Sequence, residues 1–317
     1  MAHIPHDHEH NVHDENDHHE HGHSHAPANF GMAFGIGVAL NSAFVIAEVV
    51  FGLLGNSVAL LADAGHNLGD VLGLLVAWVA SVLVKRAPTA HFTYGLRGSS
   101  ILAALFNAVF LLVVVGGISW EAIQRLSQPQ TVAGVTVMVV AAVGIVVNGV
   151  TAWLFASGRK GDLNVRGAFM HMAADAVVSA GVVVAGLVIL LTGWHWLDPL
   201  TSLAINAVII WGTWGLLRDS FTMSMGAVPP SIDPRKVRAF LEHLPGVAGL
   251  HDLHIWSMST TETALTAHLT MPTGHPGDKF FVEAAHELEE DFGIGHATLQ
   301  IETSPETACA LAPEQVV

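Results

Sequence analysis

Leu61-Ala-Asp-Ala-Gly-His-Asn-Leu-Gly-Asp70 and Phe169-Met-His-Met-Ala-Ala-Asp175 decide how the chain folds. Each carries His-x-x-x-Asp inside a long apolar run: His66 with Asp70, and His171 with Asp175. Residues four apart share one helix face, one turn apart. Two such helices set face to face bring two imidazoles and two carboxylates together. That is a four-ligand cage suited to a borderline divalent metal such as Zn2+. Ionisable groups at membrane depth are expensive and functional by default. A buried ion-pair network would need Lys or Arg partners. The two pair-bearing runs and the stretch Ser99–Gln124 offer none at depth.

Composition agrees with a membrane setting. The chain has 317 residues, of which 51% are hydrophobic and 12% charged. A soluble protein would carry about 25% charged residues. The formal charge of −15 argues against nucleic acid as a partner. Cys309 is the one cysteine, so no internal disulfide forms and thiolates are not the main metal chemistry. The first 29 residues are polar and the next apolar run is too long for a signal-peptide core, so no secretory signal is expected.

Six apolar runs, near 30–54, 58–84, 99–123, 131–156, 164–192 and 197–217, are each long enough to cross a bilayer as a helix. The expected fold is a six-helix membrane domain over 30–222. A disordered His-rich tail over 1–29 precedes it, a cytosolic α+β domain over 223–304 follows, and 305–317 is a flexible end. The tail holds ten of the 21 histidines, between His3 and His25, interleaved with Asp and Glu. That composition packs no core and suits weak, exchangeable binding of divalent metals. Lys85, Arg86 and Arg97 lie between runs 2 and 3, Arg159, Lys160 and Arg166 between runs 4 and 5, and Arg218 at the end of run 6. The opposite side has only Arg125. The positive-inside rule then puts both termini in the cytoplasm and both His-x-x-x-Asp pairs near mid-depth. Trp194 and Trp196 read as interfacial anchors.

From Pro229 onward the pattern changes to α-β-β-α-β: a helix over 234–244, strands Leu250–Ser257 and Thr263–Met271, a helix over 278–291 and a strand Ala297–Glu302. The second helix would bury Phe280, Phe281, Ala284, Ala285 and Leu288. His251, His268 and Glu302 fall on the three strands and make a cytosolic metal site plausible, with Cys309 near enough in sequence to join it. Exposed histidines are also common in small domains, and strand alternation puts His251 and His254 on opposite faces.

Other polar residues in the apolar runs have two readings each. Asp63, three before His66, either orients that imidazole from behind or sits near the membrane surface, bonded to helix 3 or to a partner subunit. Glu48 is either a candidate for proton or ion passage or a satisfied polar contact between helices. Asn41, Asn107, Asn148 and Asn206 read as interhelical hydrogen-bonding residues.

Five segments carry a resemblance. They are Ser57-Val-Ala-Leu-Leu-Ala-Asp-Ala-Gly-His-Asn-Leu-Gly-Asp70, Thr93-Tyr-Gly-Leu-Arg97, Asn164-Val-Arg-Gly-Ala-Phe-Met-His-Met-Ala-Ala-Asp175, Asp198-Pro-Leu-Thr-Ser202 and His251-Asp-Leu-His-Ile-Trp256. Together they resemble the cation diffusion facilitators, in particular the zinc-transporting branch, over nearly everything after residue 29. The resemblance implies a homodimer in the lipid bilayer, with six-helix protomers and ferredoxin-like cytosolic domains. It implies a transport site at His66, Asp70, His171 and Asp175, and export of cytosolic Zn2+ in exchange for H+. The family's cytosolic metal positions match His251, His268 and Glu302. Some relatives add a His before the last strand, where His296 stands at a different spacing. Family His-rich segments often lie between helices 4 and 5, whereas here the segment is N-terminal. The expected location is the bacterial inner (plasma) membrane.

Metal ligands must be deprotonated to bind, so protons and metal compete at one site, and His titrates in the right range. There is no G-x-x-x-x-G-K-[ST], so an ion gradient is the expected driving force. No His-Glu-x-x-His occurs, which argues against a metal-dependent hydrolase. The alternative is a passive or broader pathway for Cd2+, Co2+ or Ni2+ without strict proton coupling.

Overall fold

The computed structural model describes residues 32–156, 163–304, 309 and 311. The His-rich segment 1–29, Arg159 and Lys160, and the rest of the C-terminal end lie outside the described residues. Six helices come first: α1 (Met32–Leu54), α2 (Val58–Val84), α3 (Ser99–Ser127), α4 (Gly134–Ala156), α5 (Leu163–Thr192) and α6 (Leu197–Ser224). Among the described residues five, α2 to α6, are long and apolar enough to cross a membrane, and α1 adds a shorter apolar stretch over Val38–Leu54. Phe44, Leu60, Leu111, Val115, Val137 and Val182 pack inside the bundle. Val113, Trp153, Val177, Leu191 and Trp211 are exposed on its outside, as lipid-facing residues are.

α3 and α6 continue to Ser127 and Ser224, past the expected ends at 123 and 217. Backbone hydrogen bonding carries a helix beyond the hydrocarbon once its side chains turn polar. Glu121 and Arg125 mark this on α3, with Arg125 Nε bonded to Glu121 Oε1 at 2.9 Å.

The N-terminal end of α2 is pinned by its neighbours. Ser57 caps the helix, accepting from the Leu60 N–H at 3.1 Å. Asp198 in the first turn of α6 accepts from the Ser57 hydroxyl and, at 2.7 Å, from the Val58 N–H. These bonds satisfy helix-start donors that would otherwise be buried without partners. Arg125 of α3 adds a bond to the Asn56 carbonyl at 2.7 Å.

On its α3 side, α2 presents Gly65, Gly69 and Gly73. A Cβ at Gly69 would lie 2.7 Å from a Leu111 methyl, one at Gly65 3.2 Å from Ile118 Cδ1, and one at Gly73 3.0 Å from the Asn107 amide. Hydrogen in place of a side chain is what lets α2 and α3 approach this closely.

The C-terminal domain contains α7 (Pro234–Glu242), β1 (Gly249–Ser257), β2 (Thr263–Thr270), α8 (Asp278–Phe292) and β3 (His296–Glu302). The order is α-β-β-α-β, with a sheet in the order β1-β2-β3. β1 and β2 are antiparallel, and β2 and β3 run parallel across the α8 crossover. Val237 and Leu241 of α7, Leu265 and Leu269 of β2 and Leu288 of α8 form the core on one sheet face. Ala284 and Leu288 are the buried residues of α8, whereas Ala285, expected on the apolar face, is exposed. α7 shares the cover of that sheet face, so only a narrow stripe of α8 is buried. The domain sits against the α2–α3 loop through an Arg97–Glu262 ion pair, a Thr260 N–H bond to Ser100 Oγ at 3.1 Å, and an edge-to-face contact of Tyr94 with His296.

Candidate metal centre

α2 and α5 bring His66, Asp70, His171 and Asp175 together, and they do so crosswise. His66 Nε2 lies 3.0 Å from Asp175 Oδ1, and His171 Nε2 lies 3.1 Å from Asp70 Oδ2. Within each helix the His–Asp separation is longer, 3.8 Å in both pairs. Ligand atoms of His66, Asp70 and Asp175 all fall within 4.8 Å of one another. Two nitrogen or oxygen ligands of a tetrahedral Zn2+, each about 2.0–2.1 Å from the ion, sit about 3.3–3.4 Å apart. The four separations straddle that value. With neutral imidazoles the cage carries two negative charges, which a divalent cation balances. No Lys or Arg approaches it among the described residues.

The carboxylates behind the cage are placed differently from either expectation for Asp63. It is buried, its Oδ2 accepts from the Ser179 hydroxyl of α5 at 3.1 Å, and it makes no hydrogen bond to His66. His66 Nδ1 is buried without a partner. The turn of α2 that aims His66 at Asp175 carries Asp63 toward Ser179, one turn further along α5. Glu48 of α1 is buried beside it and accepts from Asn67 Nδ2 at 2.9 Å. Of the asparagines singled out, Asn206 bonds Ser119 of α3 at 2.9 Å, while the buried Asn148 amide has no partner among the described residues.

A second cluster lies on the open face of the C-terminal domain's sheet. His251 and His268 face each other across β1 and β2, with ring centroids 5.2 Å apart. Glu302 Oε1 is 3.2 Å from His251 Nε2 and 3.1 Å from His268 Nδ1. Cys309 Sγ approaches His268 Nδ1 at 3.6 Å, and the four residues offer ligand atoms within 4.8 Å of one another. A sulfur and a nitrogen ligand of one tetrahedral Zn2+ would be about 3.6 Å apart. Burial alone would push the Glu302 carboxyl upward. A hydrogen bond with Cys309 and the charges of His251 and His268 outweigh it and hold the group below its ordinary range.

One expectation fails here. Alternation would separate His251 from His254, yet the register pairs His251 with His268 and His254 with Thr266. Three steps on β1 match two on β2, so a bulge returns both histidines to one face. Asp252 forms the bulge in the left-handed region at φ 51°. Its carboxylate bridges His254 Nε2 at 2.8 Å and His268 Nε2 at 3.4 Å. His296 lies at the far end of β3 from Glu302, opposite Ala264, against Tyr94 instead of the cluster. Sequence reasoning passed over Asp252, Asn67 and Ser179 as functional residues. The signal for Asp252 was an Asp between two histidines in a strand, where Asp is disfavoured.

Comparison with known proteins agrees with this architecture. Residues 35–223 match the family model described as the cation efflux transmembrane domain, and residues 229–304 match the cation efflux protein cytoplasmic domain. The chain is 36% identical over 275 residues to the zinc transporter ZitB of Escherichia coli K12, covering 86% of each chain. It is 35% identical over 267 residues to the cadmium, cobalt and zinc/H(+)-K(+) antiporter of Bacillus subtilis 168, covering 83% of this chain and 86% of the relative. It is also 35% identical over 271 residues to the metal cation efflux system protein CzcD of Cupriavidus metallidurans, covering 85% and 86%. Apolar spans, a small α+β domain and matches over both parts lead to one conclusion: the chain belongs to the cation efflux, or cation diffusion facilitator, family and is an integral membrane metal-efflux transporter, not an enzyme.

Proposed function

We propose that this transporter exports Zn2+ from the cytosol in exchange for protons, with His66, Asp70, His171 and Asp175 as the transport site. The observation that carries the reading is the crosswise pairing of imidazole and carboxylate between α2 and α5. Each of these bonds joins groups that a metal would take as ligands and a proton would take as base. A bound metal excludes protons from the imidazoles, and protonated imidazoles exclude the metal. The antiporter named in the B. subtilis relative is in keeping with such an exchange.

Exposure of the cage supports a cytosol-facing state. Side-chain accessibility falls from 42% at His171 and 24% at Asp70 to 20% at His66 and 2% at Asp175. In the orientation given by the positive-inside rule, the first two lie nearer the cytosol and the last two nearer the outer face. Zn2+ would enter past His171 and Asp70. A rearrangement of helices around the fixed site would then open the outer side to protons.

The protein is further proposed to act as a homodimer in the bacterial inner membrane, with both termini and the His-rich segment in the cytoplasm. His251, His268, Glu302 and Cys309 would hold a cytosolic divalent metal. Such a metal would tie the three strands to the segment around Cys309.

Transport by purified protein in proteoliposomes with an imposed pH gradient tests the proposal. Asp175→Ala should lose Zn2+ movement while remaining monodisperse in detergent. Normal Zn2+ transport by that variant would refute the cage, and Zn2+ flux without any proton movement in the unaltered protein would refute the exchange.

A further inference from the structure

Beyond the cage, on the side away from the cytosol, two carboxyl groups are left over. Asp63 lies five residues into α2 from its outer end, about 8 Å deep, and His66 about 12 Å. Glu48 lies six residues from the outer end of α1, at a similar depth. Both side chains are 0% exposed. One oxygen of each is satisfied: Glu48 Oε2 by Asn67, and Asp63 Oδ2 by Ser179. The other oxygens, Glu48 Oε1 and Asp63 Oδ1, are buried with no donor. Asn67, which donates to Glu48, stands one turn from Asp63 on the same face of α2, so the two carboxyls meet where α1 packs on α2. Ionised carboxylates accept hydrogen bonds and donate none. Two that meet in a dry interior need a shared proton or a cation between them, because like charges at that range do not both persist.

No fixed cation supplies the balance. Among the described side chains, α1 has no other charged group, and α2 offers only Asp63, His66 and Asp70. α5 contributes His171 and Asp175, and α4, which packs on α1, contributes none. Arg125 and Asp198 belong to the pinned outer end of α2. A merely structural contact at this spot would be served by Asn or Ser, as it is at Asn67 and Ser179, without the cost of burying two acids.

We propose that Glu48 and Asp63 form a second station on the outer flank of the cage, a carboxyl–carboxylate pair that holds one proton and passes it inward as the metal leaves. The inference rests on the proton-exchange reading above. The proton leaves the pair for a cage ligand as that ligand releases the metal, and the pair takes its replacement from the outer aqueous side. No electrons move.

Two measurements on the full-length protein test this, with Zn2+ as the probe. In Zn2+-saturated protein at neutral pH the metal keeps the cage carboxylates ionised. An infrared carbonyl band of a protonated carboxyl should then remain, and be lost in both Glu48→Gln and Asp63→Asn. In each variant the new amide donates to the surviving carboxylate and replaces the shared proton. In proteoliposomes, Glu48→Gln should bind Zn2+ at equilibrium like the unaltered protein but slow pH-gradient-driven transport by about tenfold or more. The proposal falls if the unaltered protein shows no such band, if the band survives in both variants, or if Glu48→Gln couples normally. It also falls if Glu48→Gln abolishes Zn2+ binding, which would make Glu48 a metal ligand. Asp175→Ala reports separately: if it transports normally the cage reading fails, whereas a dead Asp175→Ala beside a normal Glu48→Gln overturns only the second station.

Discussion

Asp198 should be the most consequential residue for stability at the end of the bundle where α6 begins. Its carboxylate receives the Ser57 hydroxyl and the Val58 N–H, and residues 57, 58 and 198 are all buried. Asp198→Ala deletes both bonds and strands the Val58 N–H where water does not reach. At about 1–3 kcal/mol for each buried group left unpaired, the loss is about 2–6 kcal/mol. Asp198→Asn keeps one acceptor and sets an amide N–H₂ against a donor, so it should lose about half, roughly 1–3 kcal/mol. The assay is reversible unfolding in mixed micelles followed by tryptophan fluorescence, read as a midpoint shift at unchanged slope. Both variants unfolding within about 0.5 kcal/mol of the unaltered protein, the range of ordinary surface changes, would refute the reasoning. So would an Asn variant as unstable as the Ala variant, since the carboxylate's two acceptors would then not be the cause.

Three other outcomes are expected. Folding holds the Glu302 carboxyl below its ordinary range, so in metal-free protein its contribution is present above the unfolded value and lost as pH falls through the folded one. Glu302→Gln should therefore flatten the acid limb of the cytosolic domain's stability, below about pH 4.3, and an unchanged limb would assign it to other groups. Asp252→Asn tolerates the left-handed backbone but weakens the hold on His268, and should lower Zn2+ affinity of the cytosolic cluster by about 10–100-fold, measured by calorimetry in an Asp175→Ala background. Leu269→Ala empties a fully buried position in the cytosolic core and should cost about 2–5 kcal/mol, seen as earlier loss of that domain in hydrogen exchange.

Much of this molecule can be read from residue order alone, and the failures share a cause. Helix number and the His66–Asp70 and His171–Asp175 pairs follow from local quantities, run length and spacing. What escaped depends on contacts between elements. The bulge at Asp252 exists because β1 and β2 pair with one residue to spare, and unbroken alternation hides it. Asp63 turns to Ser179 because α5 passes there, which no spacing on α2 reveals. Glu48 carried two readings until its neighbours were in place. Helix ends at Ser127 and Ser224 escaped because apolarity marks where lipid stops, not where hydrogen bonding does.

The glycine face of α2 has a mechanical meaning. Helices normally interlock by ridges of side chains seated in grooves, and moving one along another means lifting each ridge over the next. At Gly65, Gly69 and Gly73 one set of ridges is absent, so α3 meets α2 as a shaft meets a plain bearing, not as one gear meets another. Along that stretch no side chain of α2 blocks α3, which is tied to α2 at the end where Arg125 bonds Asn56, while the adjacent face of α2, about a quarter turn round, carries His66 and Asp70 and meets α5 through their contacts with Asp175 and His171. A single methyl at residue 69 would put a tooth on the bearing.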